Sequence, residues 1–163
     1  MGKSKDSKKF NLILVLCILI PILAGVSSIL VSMAGSGKRN PLKAFTDLFS
    51  DSFSSANLIF WIWLLMYPLM GLVCYQIVKK KERKRSAALS VYVLQLVFNV
   101  LWIPMLFEGW YVIAMIWLFV LVGLVAILIA LTWKIKKGAA LLLFPYLVLC
   151  LVALFINGQI AVK

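Results

Sequence analysis

The chain has 163 residues, a net charge of +12, 64% hydrophobic residues and only 13% charged ones, with a mean hydropathy of +1.08. A water-soluble domain of this length is nearer half apolar and about a quarter charged, so its surplus apolar surface must face lipid, and these residues leave no room for a separate soluble domain. With no histidine, and with Cys17, Cys74 and Cys150 scattered through apolar runs, a disulfide framework or a zinc site is excluded as an organising feature.

The chain opens MGKSKD, which resembles a myristoylation signal but fails it, because the sixth position is Asp6 rather than Ser or Thr. A bilayer core of about 30 Å needs roughly 20 apolar residues per helical crossing. The first segment that meets this is 10–34; it is too long for a signal-peptide core and has no convincing cleavage site. The next stretch, 35–56, is the one long link. Its Leu42, Phe45, Leu48, Phe49 and Phe53 recur at helical spacing, as expected of a short interfacial helix, either a lid or a plain connector. Four further crossings are expected at 57–78, 87–107, 110–133 and 139–161. Pro21, Pro68, Pro104 and Pro145 fall inside crossings, where neighbouring helices can re-satisfy the carbonyls that proline frees, so each marks a kink.

The charges lie almost wholly between these segments. The N-terminal tail, the link KKKERKR (79–85) and the trio Lys134, Lys136 and Lys137 share one side of a five-helix alternation and hold thirteen basic residues, against four on the other side. This asymmetry predicts a cytoplasmic N-terminus and an outer C-terminus. It also explains the positive charge without nucleic acid, since KKKERKR carries no aromatic residue on which a base could stack.

Polar groups inside the crossings are few. Tyr92, Gln95, Asn99, Trp102 and Leu106 share one helical face. An amide facing lipid would forfeit its hydrogen bonds at a cost of several kcal/mol, so this face must look inward. Trp63, Tyr67, Met70, Gly71 and Cys74 form a similar stripe, and so do Tyr146, Cys150, Ala153 and Asn157. Two readings stand. The amides are interhelical glue, or the three stripes wall a pocket for a flat, largely apolar ligand. No Asp, Glu, Lys, Arg or His lies within a crossing, which disfavours a proton-coupled pump, an ion channel and general acid–base chemistry.

Three motifs carry a resemblance. They are WLLMYPLMG (Trp63 to Gly71), ALSVYVLQLVFNVLWIPMLF (Ala88 to Phe107) and AALLLFPYLVLCLVALFINGQI (Ala139 to Ile160). Their order and spacing resemble W-x-x-x-Y-x-x-x-G, A-L-x-x-Y-x-x-Q-L-x-x-N-x-x-W-x-x-x-F-F and A-x-x-L-L-x-P-Y-x-x-W-x-x-x-A-x-x-L-N-x-x-I of the TspO/MBR family, the tryptophan-rich sensory proteins related to the mitochondrial translocator protein. The chain departs from that pattern at three points: SFSS (Ser52 to Ser55) stands where a W-x-P-P element is usual, Leu106 replaces a Phe, and Leu149 replaces the Trp after Pro-Tyr. The resemblance implies an all-α, five-transmembrane-helix bundle in a cell membrane, commonly a homodimer. It implies a cavity for a porphyrin or sterol-like molecule, with Trp63, Tyr67, Asn99, Trp102, Tyr146 and Ala153 as matching positions. The expected function is a membrane-embedded binding protein or sensor for such a ligand, protoporphyrin or a haem-like molecule among them, with no required cofactor, no metal and no catalytic residue. The alternatives are a transporter of the same ligands, a light-dependent porphyrin-degrading activity (disfavoured by Leu149) and a purely structural accessory protein.

Overall fold

The computed structural model describes residues 2–36 and 56–162, all of them in helices or short connections. The helices are α1 (Gly2–Ser36), α2 (Ala56–Lys79), α3 (Arg85–Phe107), α4 (Tyr111–Trp133), α5 (Lys137–Leu141) and α6 (Phe144–Val162). Five spans are long and apolar enough to cross a membrane: Leu12–Ala34, Phe60–Lys79, Arg85–Phe107, Tyr111–Trp133 and Lys137–Val162. The link expected as a lid, with Phe45, Phe49, Phe53 and the Ser52–Ser55 element, lies outside the described residues.

Two boundaries differ from the expectation. The first helix starts at Gly2 and takes in the basic tail, since lysine is a good helix former and the apolar run below supplies the nucleus. The last crossing is two helices, interrupted at Leu142 and Leu143. Pro145 is the cause: it has no N–H for the carbonyl of Leu141, and its ring crowds that carbonyl. The other three prolines stay within continuous helices. For Pro104 the re-satisfaction is visible, because the Val100 carbonyl it frees accepts a 2.6 Å hydrogen bond from the Ser28 hydroxyl of α1.

The crossings close into a ring in the spatial order α1, α2, α5/α6, α4, α3, with α2 also meeting α3 across the middle. Two glycines let α1 and α2 touch. A Cβ on Gly71 would sit 2.6 Å from the Ile18 Cα and 2.7 Å from the Cys17 carbonyl oxygen, and one on Gly25 would sit 2.5 Å from the Tyr67 ring. The notch beside Gly71 is thus filled by the backbone of α1. Between α3 and α4 the Phe98 and Trp117 rings stack at 4.3 Å, and the Trp117 indole donates to the Phe98 carbonyl at 3.1 Å. The turn that follows α3 is built on Gly109, whose φ of 81° is open to glycine at little cost. Trp110 N–H bonds Met105 O and Gly109 N–H bonds Leu106 O, so the last carbonyls of α3 are closed off.

Relative to a soluble bundle the core is equally apolar, but the surface is apolar too. Leu23, Leu30, Trp61, Phe119 and Phe155 are among its most exposed side chains, whereas Ser28, Ser32, Gln95, Asn99, Thr132 and Asn157 are buried. The links Lys80–Lys84 and Lys134–Lys136 emerge at one end of the bundle, and Lys84 and Lys134 lie against each other there.

Candidate functional site

Gln95, Asn99 and Asn157 have no exposed surface, so all three amides face into the bundle. A chain of hydrogen bonds joins three helices. Tyr67 of α2 donates to Asn99 Oδ1 of α3 at 2.9 Å; the Asn99 amide nitrogen donates to the Tyr146 hydroxyl of α6; Tyr146 donates to Gln95 Oε1 at 3.1 Å; and the Gln95 nitrogen reaches Met70 Sδ at 3.6 Å. The chain runs in one sense, each group donating onward, and returns to the helix it left. In a dry interior such a relay is mutually polarising and fixes helix register.

A second, shorter chain lies beside it. With its amide turned to satisfy both neighbours, Asn157 of α6 accepts from the Trp102 indole at 3.2 Å and donates to the Tyr111 carbonyl at 3.0 Å. Trp102 in turn packs on Trp63, ring centroids 4.9 Å apart, and Trp63 meets the edge of Tyr146 at 6.4 Å.

Five of the six residues expected to bind a ligand therefore stand in one cluster: Trp63, Tyr67, Asn99, Trp102 and Tyr146 touch one another directly or through a shared partner. Ala153 is buried on the same face of α6. Gln95, outside the expected set, makes as many of these bonds as Asn99 does, and Met70 ends the chain. The sequence signal for Gln95 was its place on the Asn99 face, and for Met70 its place on the stripe with Trp63 and Tyr67.

Beside the cluster is a small void lined by Ile29, Phe60, Trp63, Leu64, Tyr67, Ile103 and Phe107. It is wholly apolar and lies toward the end of the bundle where the chain leaves α1 and returns into α2. Its volume is about 20 Å³. That is room for roughly one water, whereas drug-sized ligands need pockets of about 300 Å³ or more. A tetrapyrrole does not fit this void as the described residues line it. No group of three or more His, Cys, Asp or Glu side chains able to hold a metal occurs among the described residues.

A family model described as TspO/MBR family matches residues 17–163, from the second turn of the first span to the last residue. No curated protein matches the chain.

Proposed function

The chain belongs to the TspO/MBR family of membrane proteins, and from that premise we propose that it binds a flat hydrophobic ligand, such as a porphyrin or a sterol-like molecule, within the bundle. The observation that carries the reading is the convergence of Trp63, Tyr67, Asn99, Trp102 and Tyr146 beside an apolar void that shares Trp63 and Tyr67 with them. Trp63 is the gate residue in this proposal. It forms a wall of the void and packs on Trp102 with the rings tilted by 38°, so a planar guest that enters the void would replace one aromatic neighbour with another. Releasing the Trp63–Trp102 pair costs roughly 0.5–1.5 kcal/mol, and the ligand's apparent affinity falls by the fraction of chains that are closed.

Intrinsic fluorescence quenching by protoporphyrin in detergent or lipid discs tests the proposal. Saturable binding is expected for the wild type, with affinity several-fold weaker in Trp63→Ala and unchanged in Phe155→Ala, where the side chain faces lipid. A second reading has its own support: a centre so completely filled and internally hydrogen-bonded is also what a purely structural membrane protein needs. No saturable binding of any porphyrin or sterol by a folded wild type decides for that reading.

A further inference from the structure

The outer face of the bundle carries a groove that the central cluster does not use. It runs between α1 and α3, with Ile13, Leu16 and Ile20 on one wall and Leu89, Val93 and Leu96 on the other. Its volume is about 360 Å³ and its lining is apolar. Ile13, Leu16, Ile20 and Val93 are exposed, so the groove opens sideways to acyl chains. Leu89 and Val93 also line a shallower hollow along the outer face of α3, which reaches from Ser86 to Val97. Groove and hollow form one continuous track.

At 1.5 Å per residue, Ser86 and Val97 stand about 16 Å apart along the helix. Half of a hydrocarbon core of about 30 Å is about 15 Å. The track therefore spans one leaflet, from its polar edge to the midplane. At the polar edge α3 begins, with Arg83 and Lys84 exposed and Arg85 half-buried. Lys8 and Lys9 precede the apolar run of α1 at the same end. Between these charges and the apolar walls come Ser86 and Ser90, both exposed and one turn apart on one face of α3. From the edge inward the order is cations, hydroxyls, then hydrocarbon. A glycerophospholipid with an anionic headgroup presents the complement in the same order: phosphate, ester carbonyls, acyl chains.

We propose that this track is a binding site for one anionic glycerophospholipid. The phosphate lies against the Arg83–Arg85 stretch, and Ser86 and Ser90 donate to the ester carbonyls. One acyl chain fills the groove between α1 and α3, and the other follows α3 toward Val97. Basic helix ends attract anionic lipid in general; this site differs in offering a fitted groove, and so in saturating. A second copy of the chain is the competing occupant, and two features speak against it. Among the described residues no glycine or alanine lines the groove, although helices that pack in lipid use small residues for close approach. A second copy related by an axis along the membrane normal would also set Arg83, Lys84 and Arg85 against the same three charges.

The full chain, delipidated in a neutral detergent, is titrated with dioleoyl phosphatidylglycerol or dioleoyl phosphatidylcholine. Native mass spectrometry counts bound lipid while the thermal unfolding midpoint is followed. The expected result is saturation at one phosphatidylglycerol per chain with a rise in the midpoint, and much weaker uptake of phosphatidylcholine. Each charge removed from the link is expected to weaken binding about fivefold, so Arg83→Gln combined with Lys84→Gln and Arg85→Gln should weaken it by more than roughly tenfold. Lys134→Gln combined with Lys136→Gln and Lys137→Gln removes as much charge from the same end and should leave the affinity nearly unchanged. Val93→Trp fills the groove from a lipid-facing position; it should weaken phosphatidylglycerol binding several-fold while the lipid-free midpoint stays in place, which shows the fold intact. Equal binding of the two lipids, uptake without saturation, or equal loss in the two triple variants overturns the proposal. A chain that is dimeric without lipid and monomeric as Val93→Trp gives the groove to a second copy and overturns it as well.

Discussion

Asn99 joins two tyrosines from two other helices, accepting from Tyr67 and donating to Tyr146. Asn99→Leu removes both bonds, so the Tyr67 hydroxyl loses its acceptor and Tyr146 keeps only its bond to Gln95. A stranded buried group costs about 1–3 kcal/mol, so thermal unfolding in detergent is expected to shift well downward. Asn99→Asp should fare worse still, since burial opposes its charge and the donor to Tyr146 is lost. Tyr92→Phe reverses the sign of the effect. Its hydroxyl has no partner to lose among the described residues, and deleting an unsatisfied group is expected to leave unfolding unchanged or raise its midpoint. The inward turn of Gln95 and Asn99 was legible in the sequence, because an amide has only one affordable side in a membrane helix. Its partners were not, because hydrogen bonding between helices depends on their relative rotation and depth.

Elements meet here through what is missing from their side chains. A methyl on Gly71 would press into the α1 backbone at Ile18 and Cys17, atoms that cannot give way as a flexible side chain can. Gly71→Ala should therefore separate α1 from α2 and lower the unfolding midpoint. Gly123→Ala meets nothing within 4 Å and should gain the better helix propensity of alanine, up to about 1 kcal/mol. If the two variants behave alike in thermal unfolding, the close α1–α2 contact is not what Gly71 supplies. Pro104 offers a second test of the same kind. Its missing N–H leaves the Val100 carbonyl to Ser28, so Ser28→Ala should cost more in the wild type than in a Pro104→Ala background. A double-mutant cycle reads this coupling directly. That prolines would disturb the helices was readable from the chain. That Pro104 would be compensated within a continuous helix while Pro145 ended one was decided by the neighbours each found.

At the scale of the whole molecule, the alternation of five crossings gathers two basic links at one end, where Lys84 meets Lys134. Contact with the Lys134 amine and repulsion by its charge hold the Lys84 ammonium below the usual lysine value. A lowered value means the folded state disfavours the protonated form. This contribution therefore weakens the fold while Lys84 is charged and relaxes as pH rises through the depressed value toward the ordinary one. Lys134→Gln should move the Lys84 titration midpoint upward, measured by NMR on labelled lysine side chains. We propose that this end faces the cytoplasm, on the excess of thirteen basic residues over four. A C-terminal reporter active only outside the cytoplasm should then be active; a silent reporter on a folded chain reverses the orientation.

By itself the sequence determined the solvent, the number of crossings and the inward face of each amide-bearing helix. These follow from transfer energies of individual side chains, which depend on what a residue is rather than on where its neighbours lie. The motif spacing also brought the family within reach, and the match over residues 17–163 established it. Only the tertiary structure decided how closely the inward faces meet, leaving about 20 Å³ in the void beside Trp63 and Tyr67 among the described residues. It decided too that α1 fills the notch at Gly71. Those outcomes rest on the packing of helices distant in sequence, where a rotation of one residue's worth exchanges a void for a contact and no local pattern records which will occur.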